Sequence, residues 1–534
     1  GASSASASAA GRAHPGMHRY LAMAASSAAS LVDRSRRVLS PRGRAVDCCT
    51  PQSTPRSRCW RMRGRVPGRT RMPYARNAHP PRTRGRSEPR QRIDTSGWSG
   101  ESAMTPSDQD LWFLPLGGTG EIGMNLNLYG HAGRWIIVDC GVTFAKEGEP
   151  GPHIQMADPR FVEERRADLA GMLITHAHED HVGAVAHLWP LLRCPVYATA
   201  FTATILRRKL AEKGLVEDVR IVEVERTERH TVGPFDIEWL PITHSIPEAH
   251  GLVIRTEAAK LLHTGDWKLD EHPVLGPSYD EAALRALGDE GMDAMVCDST
   301  NALVEGRSQS EASLAKGLRE VVRAAEGRVI VTTFGSNVAR LHTLAQVAAD
   351  CGRYYGVLGR SLVNMVGAAR ATGLWHPARE MIQGSELGWL PPAEVLAVAT
   401  GSQGDANAAL DRLSRRAHPD LDLEAGDTVV FSSRVIPGNE QHVERIVRRL
   451  ERMGVHIVTD EDADIHASGH PARDELRDMY AWIRPGVAVP THGTPAHMRA
   501  HAELARACGV NRALTGLNGD LFMLAPQPGM RRGA

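Results

Sequence analysis

The chain has 534 residues, enough for two or three domains, and a 42% apolar content supplies an ample core although aromatics make up only 5%. Its net charge of +1 conceals two unlike parts: residues 1–103 hold about twenty arginines and about five acids, close to +15, which leaves the remainder close to −14. No run of about 18 apolar residues offers a membrane-spanning helix, and eight cysteines without paired spacing argue against a disulfide scaffold and for a reducing, cytoplasmic setting.

Residues 1–103 are rich in Ala, Ser, Arg, Gly and Pro and show no sustained hydrophobic period. They cannot bury enough surface to offset their ordering entropy, so they are read as a disordered or mis-called N-terminal extension. From Leu111 the pattern changes. LWFLPL, NLNLYG and RWIIVDCG read as short strands around the glycine-rich GGTGEIGMN. GMLIT (171–175) is a buried strand that runs into HAHEDH, with a helix expected from Val182. CPVYAT, DIEWLPIT, LVIRTE, KLLHTG and AMVCDST are further strands, and FTATILRRKLAEKG is helical. Strands beside helices, with His and Asp at strand ends, predict a layered α/β sandwich over 104–309.

Between about 310 and 460 the pattern alternates: helix SEASLAKGLREVVRAAEG, strand RVIVTTF, helix NVARLHTLAQVAADCG, then strands VLAVATGS and DTVVFSSRVI. Such alternation predicts βαβ units and a parallel sheet, whose strand-end loops are the usual place for ligands. ADIHASGH, the helix ELRDMYAWI and VAVPTHGT then return to His-bearing strand ends over 461–530. The simplest architecture is one domain interrupted by another.

His176, His178, Asp180 and His181 form HxHxDH directly after an apolar strand. A loop leaving a strand can turn these side chains toward one point, and imidazole nitrogens with carboxylate oxygens suit a borderline-soft ion such as Zn²⁺. His244 in PITHSIPE, Asp266 in LLHTGDW and His492 in VPTHGT each follow a strand too. Each alone reads equally as a hydrogen-bonded surface group or a turn residue. Together the seven suffice for two metals with one bridging carboxylate.

With Asp139 in VDCG, this set resembles the metallo-β-lactamase superfamily. The resemblance implies that His176, His178 and His244 hold one zinc, that Asp180, His181 and His492 hold the other, and that Asp266 bridges, with Mn²⁺ or Mg²⁺ as alternatives in turnover. It also implies that Asp139 orients a histidine from behind. The interrupting segment resembles a β-CASP domain, so the fold expected is a metallo-β-lactamase αββα sandwich interrupted by a β-CASP α/β domain. Asp298 in CDST and His470 in HASGH match the motifs of that group. GGTGEIGMN, THSIPE, HTGDWKLD, CDSTNAL, TTFGSN, ATGSQG and VIPGNE are similar to ribonuclease J in particular.

That family implies 5′→3′ exonuclease and endonuclease activity on single-stranded RNA, through water activated between two metals and in-line attack on the phosphodiester. His470 is the candidate proton donor to the departing 3′ oxygen, and Asp180 is counted with it in the catalytic set. A 5′-monophosphate pocket is expected from Phe334, Gly335 and Ser336 in one loop and His466, Ala467, Ser468, Gly469 and His470 in another. Family members usually read PVHGE where this chain has PTHGT, so Thr494 is expected to alter support for His492. They also continue into a small C-terminal domain that this sequence is expected to lack, which weakens the expected homodimer or tetramer. For residues 1–103, initiation near Met104, a basic RNA-binding arm and a transit peptide stay open. A DNA-processing nuclease of the same fold and a non-catalytic scaffold subunit are the competing functions.

Overall fold

A computed structural model describes residues 104–144, 152, 154–436 and 438–533; the expectations for residues 1–103 lie outside them. Two mixed sheets face one another. The first has eight strands in the order Gly529–Arg531, Leu521–Ala525, Leu111–Gly117, Leu126–His131, Arg134–Val138, Leu169–Leu173, Val196–Ala198 and Ile221–Glu223. The second has seven: Arg512–Ala513, Val487–Thr491, Ala294–Asp298, Lys260–His263, His250–Arg255, Phe235–Pro241 and Arg229–Val232.

Side chains on a strand alternate between faces, and the sequence uses both. Leu111, Phe113, Ile136 and Val138 from the first sheet meet Ile237, Trp239, Leu252, Ile254 and Val296 from the second, forming the central core. Their neighbours Trp112, Leu114, Trp135 and Ile137 face the other way, onto the helices Val185–Leu192 and Ala200–Glu212. On the outer face of the second sheet, Val253, Leu262 and Met295 pack with the helices Glu281–Glu290, Arg473–Ile483 and Pro495–Ala507. The layers are therefore helix, sheet, sheet, helix, as expected.

The interrupting segment builds its own five-stranded sheet, parallel throughout, in the order Tyr354–Leu358, Val395–Ala399, Val329–Thr332, Thr428–Phe431 and His456–Val458. Its strands are apolar on both faces because helices cover both. Val331, Val398 and Val430 pack on one side beneath the helix Val338–Asp350, and Ile330, Ala397 and Val429 on the other beneath the helix Glu440–Arg452. Among the described residues no helix is long and apolar enough to cross a membrane.

Two local readings change. The helix expected from Val182 instead begins at Glu179, stops after Val182 and resumes at Val185. Its interruption has a hydrogen-bond cause: the Asp180 carbonyl, which would accept the Ala184 amide, accepts the Asn125 amide at 2.9 Å, and Ala184 donates to the Cys140 carbonyl at 3.0 Å. His466–His470 does not lie at a strand end either, because the strand before it stops at Val458 and the segment 463–468 is irregular.

Candidate metal centre

The strand Leu169–Leu173 runs into Thr175 and the short helix Glu179–Val182, with His178 as its N-cap residue. This turn delivers His176, His178, Asp180 and His181 to one place. Asp139 follows the strand Arg134–Val138 in a left-handed conformation (φ 65°), and its carboxylate accepts the Thr175 amide at 2.8 Å and His181 Nδ1–H at 2.7 Å. From the second sheet come His244, Asp266, Asp298 and His492, the last in a left-handed conformation (φ 48°) just past Thr491.

These side chains converge into three overlapping groups that share Asp266. They are His176, His178, His244 and Asp266; Asp180, His181, Asp266 and His492; and Asp266, Asp298, His470 and His492. His178 Nδ1 lies 3.1 Å from both His176 Nε2 and His244 Nε2. Asp266 Oδ2 lies 3.9 Å from each of those Nε2 atoms and 3.3 Å from His181 Nε2. On the other side His492 Nε2 is 3.2 Å from Asp180 Oδ2, and His492 Nδ1 is 3.0 Å from Asp266 Oδ1. Ligand bonds of about 2.0–2.1 Å in a tetrahedron put neighbouring donor atoms about 3.3 Å apart. The donor set and its spacing fit a metal.

Ring orientations are held from behind, as metal-ligating histidines require. His181 Nδ1–H donates to Asp139, and His244 Nδ1–H donates to the Gly469 carbonyl at 2.6 Å, so each Nε2 lone pair faces inward. His176 Nδ1 meets Thr175 Oγ1 at 3.0 Å.

The electrostatics divide the site. Burial, reinforced for His176 by His181 and His178, keeps His176 and His244 well below the usual imidazole range, and burial pushes His178 down to about 4. These three are neutral donors. In the acidic half burial works against charge, yet Asp266 and its neighbouring carboxylates lift His181 and His492 well above the usual range. Burial likewise opposes ionisation of Asp180, Asp266 and Asp298, but the adjacent imidazoles hold all three below the carboxylate range. That half calls for positive charge, which a divalent cation supplies.

Asp298 Oδ2 accepts His470 Nδ1–H at 2.7 Å; burial opposes the imidazolium, but Asp298 raises the His470 pKa above its ordinary value. Phe334, Gly335 and Ser336 follow the strand Val329–Thr332 and precede the helix capped by Asn337, with Phe334 exposed. Ser468 Oγ accepts Asn301 Nδ2 at 2.8 Å, and His466 carries a buried Nδ1 without a hydrogen-bond partner. Gly469, expected to approach a phosphate, also has a steric role: a Cβ there would lie 2.8 Å from His244 Cε1. Thr494 does not support His492; it caps the helix Pro495–Ala507 by accepting the His497 amide. Thr300 takes that part, with Oγ1 at 3.3 Å from His492 Nδ1 and 3.0 Å from its carbonyl.

Sequence reasoning missed Thr300, Asn125 and Asn301. Asn125 Nδ2 lies 3.0 Å from the Asp180 carbonyl and 3.2 Å from His181 Nε2. The glycine-rich GGTGEIGMN motif, which ends in Asn125, was the available signal, because such a turn lets a backbone come close. A Cβ on Gly141, which the Asn125 carbonyl engages, would sit 1.7 Å from the Asp180 carbonyl oxygen.

Three family models match in succession: a beta-lactamase superfamily domain over residues 134–301, the beta-CASP domain of ribonuclease J over 326–450, and a Zn-dependent metallo-hydrolase RNA specificity domain over 462–514. A ribonuclease J from Sinorhizobium meliloti is 46% identical over 425 residues, covering 79% of this chain and 75% of that protein. One from Mycolicibacterium smegmatis is 40% identical over 397 residues, 74% of this chain and 71% of that one. A solved protein of unknown function from Enterococcus faecalis shares the fold at 16% identity, with a TM-score of 0.54 over 78% of this chain and 100% of that one.

Sheets, insert and donor set define a metal-dependent hydrolase of metallo-β-lactamase fold with a β-CASP domain. Its substrate class follows from its relatives. The chain belongs to the ribonuclease J family and is a metal-dependent ribonuclease.

Proposed function

We propose that this chain matures and degrades single-stranded RNA, cutting both internally and stepwise from a 5′-monophosphate end, with two zinc ions gripped around Asp266. The observation that carries the reading is the convergence of six His and Asp side chains, from separate stretches of chain, on that one carboxylate. His176, His178 and His244 would hold one ion, Asp180, His181 and His492 the other, and Asp266 both. When bound, such a pair lowers the pKa of water and screens charge on the phosphate oxygens. We place the domain boundaries at 309/310 and 460/461.

The protein's own groups do the rest. His470 keeps Nδ1–H on Asp298, which leaves Nε2 to carry a proton toward the departing 3′ oxygen. Asp139 and the Gly469 carbonyl stop the His181 and His244 rings from turning. The buried, unpartnered Nδ1 of His466 and the small residues beside it suit a terminal phosphate, since backbone amides can come close there.

The test is digestion of end-labelled RNA carrying a 5′-monophosphate or a 5′-triphosphate, with and without chelator. Cleavage should stop on thorough chelation and return with metal, and the triphosphate should resist stepwise attack. Undiminished cleavage after chelation would end the metal reading, and equal rates on both ends would remove the 5′ pocket.

A further inference from the structure

The segment from Ile465 to Ala472 carries His466, Ser468, Gly469 and His470 beside the cluster, yet it belongs to no strand or helix. An irregular stretch must be located by groups from elsewhere, because it lacks a ladder of its own. Its two ends are each gripped by a buried charged side chain. At the leading end Arg340, 1% exposed, donates Nη1–H to the Ile465 carbonyl at 3.1 Å and to the Ser432 carbonyl at 2.9 Å. Ser432 Oγ donates to the same Ile465 carbonyl at 2.6 Å. The rest of the guanidinium is held by Glu311, with Nη2–H donating to Oε2 at 3.0 Å and Nε–H to Oε1. At the trailing end Glu475, 0% exposed, accepts the Ala472 amide at 2.8 Å.

Both grips are anchored on the strand exit that bears Asp266. Glu475 also accepts the Leu269 amide at 2.8 Å, and the Glu311 amide donates to Asp270 Oδ2 at 2.9 Å. Asp270 is fixed in turn by Lys268 Nζ at 3.1 Å, and its own amide donates at 3.0 Å to Thr243 Oγ1, the residue before His244. Two lines of buried polar contacts therefore register the His470 segment against the segments that present Asp266 and His244. Stability alone does not ask for this. A buried ion pair such as Arg340–Glu311 is often no better for stability than apolar groups of the same volume, whereas a satisfied buried network can fix one arrangement.

We propose that Arg340, held by Glu311, and Glu475 are positioning residues for RNA cleavage. They set where His470 and the His466–Gly469 backbone stand relative to the cluster, and touch neither metal nor substrate. The catalytic use of that segment rests on the function proposed above; its placement does not.

Three variants test this in the full, metal-loaded chain. Arg340→Lys keeps a positive charge beside Glu311 but cannot reach Glu311 and both carbonyls. Glu475→Gln keeps the shape but turns a carboxamide NH2 against backbone amide donors. Ser432→Ala removes one hydroxyl from the Ile465 carbonyl and strands no charge, so it folds even where the others fail. Metal content, hydrogen exchange of the amides 466–470, and kcat and KM on 5′-monophosphate RNA are measured together. Metal content should be unchanged, exchange should quicken in 466–470, and kcat should fall about tenfold in Arg340→Lys and Glu475→Gln and about twofold in Ser432→Ala. Unchanged exchange there in every variant that folds overturns the proposal. So does loosened exchange with unaltered kcat, or a loss of kcat that only tracks lost metal or unfolding. If the unaltered protein cuts no RNA, the function reading fails separately, and the exchange pattern alone decides the positioning.

Discussion

The two ends of the seven-stranded sheet handle charge in opposite ways. At one end Arg255 is closed off: its Nε–H and Nη2–H donate to Glu290 at 2.7 Å each and its Nη1–H donates to Glu238 at 2.8 Å, while Lys260 adds to Glu290 at 3.3 Å. Each cation there has its carboxylate. At the other end the same strands release His244, Asp266, Asp298 and His492, whose buried carboxylates draw three imidazoles toward the charged form. Closed pairing makes a rim. Open pairing makes a site, because the balance is left for something bound to complete.

The comparison breaks most visibly if a carboxylate at the open end proves dispensable. Asp266→Ala, or His178→Ala among the neutral donors, should lower RNA cleavage by more than about a hundredfold while the protein still melts cooperatively. Retained activity above that level, in single-turnover digestion with metal content measured alongside, would mean that the open end is not the reaction centre. Next in size is His470→Ala. It leaves Asp266 and the neutral imidazoles in place, so kcat should fall by about a hundredfold with metal content intact. A variant that lost metal instead would move His470 into the ligand set, which its place in the third donor group allows.

A smaller effect is expected from Gly469→Ala. The added Cβ would meet His244 Cε1 at 2.8 Å and Ser245 Oγ at 2.7 Å, and must push a ring that the Gly469 carbonyl holds. Metal affinity should weaken by about tenfold, with cleavage restored at higher metal concentration. Failure of added metal to restore the rate would place the damage in substrate binding.

The chemistry-bearing end was legible because chemistry and local structure coincide there. HxHxDH, His244, Asp266 and His492 each follow an apolar run, so a strand ending and a ligand appearing are the same event in the sequence. The alternation of the insert was legible for a similar reason, since strands such as Val329–Thr332 are buried on both faces. What stayed hidden depends on pairs far apart in the chain. Arg340 sits on an amphipathic helix where a charge ordinarily faces water, and nothing local announces Glu311, 29 residues earlier. The break after Val182 was hidden because Asn125 takes a carbonyl 55 residues away. HASGH looks like a strand end, yet side chains rather than a ladder place it. The short strand Arg229–Val232 escaped for want of an alternating pattern, with only Val232 buried.

The closed end should give the smallest response, and one of stability alone. Arg255 and Lys260 hold the Glu290 carboxyl at about 2, below its ordinary value of 4.5, with the Arg255 hydrogen bonds the largest cause. A depressed carboxyl contributes stability that is fully present above the unfolded-state value and is lost as pH falls through the folded one. Glu290 is partly exposed, so solvent screening discounts the effect to less than about 1 kcal/mol. Glu290→Gln should therefore melt slightly below the unaltered protein near neutral pH, with the gap closing between about pH 4.5 and pH 2. RNA cleavage at neutral pH should be unchanged. A gap that widened as the pH fell would reverse the sign of the pairing, and a loss of cleavage without a loss of stability would mean that the two ends of the sheet are coupled.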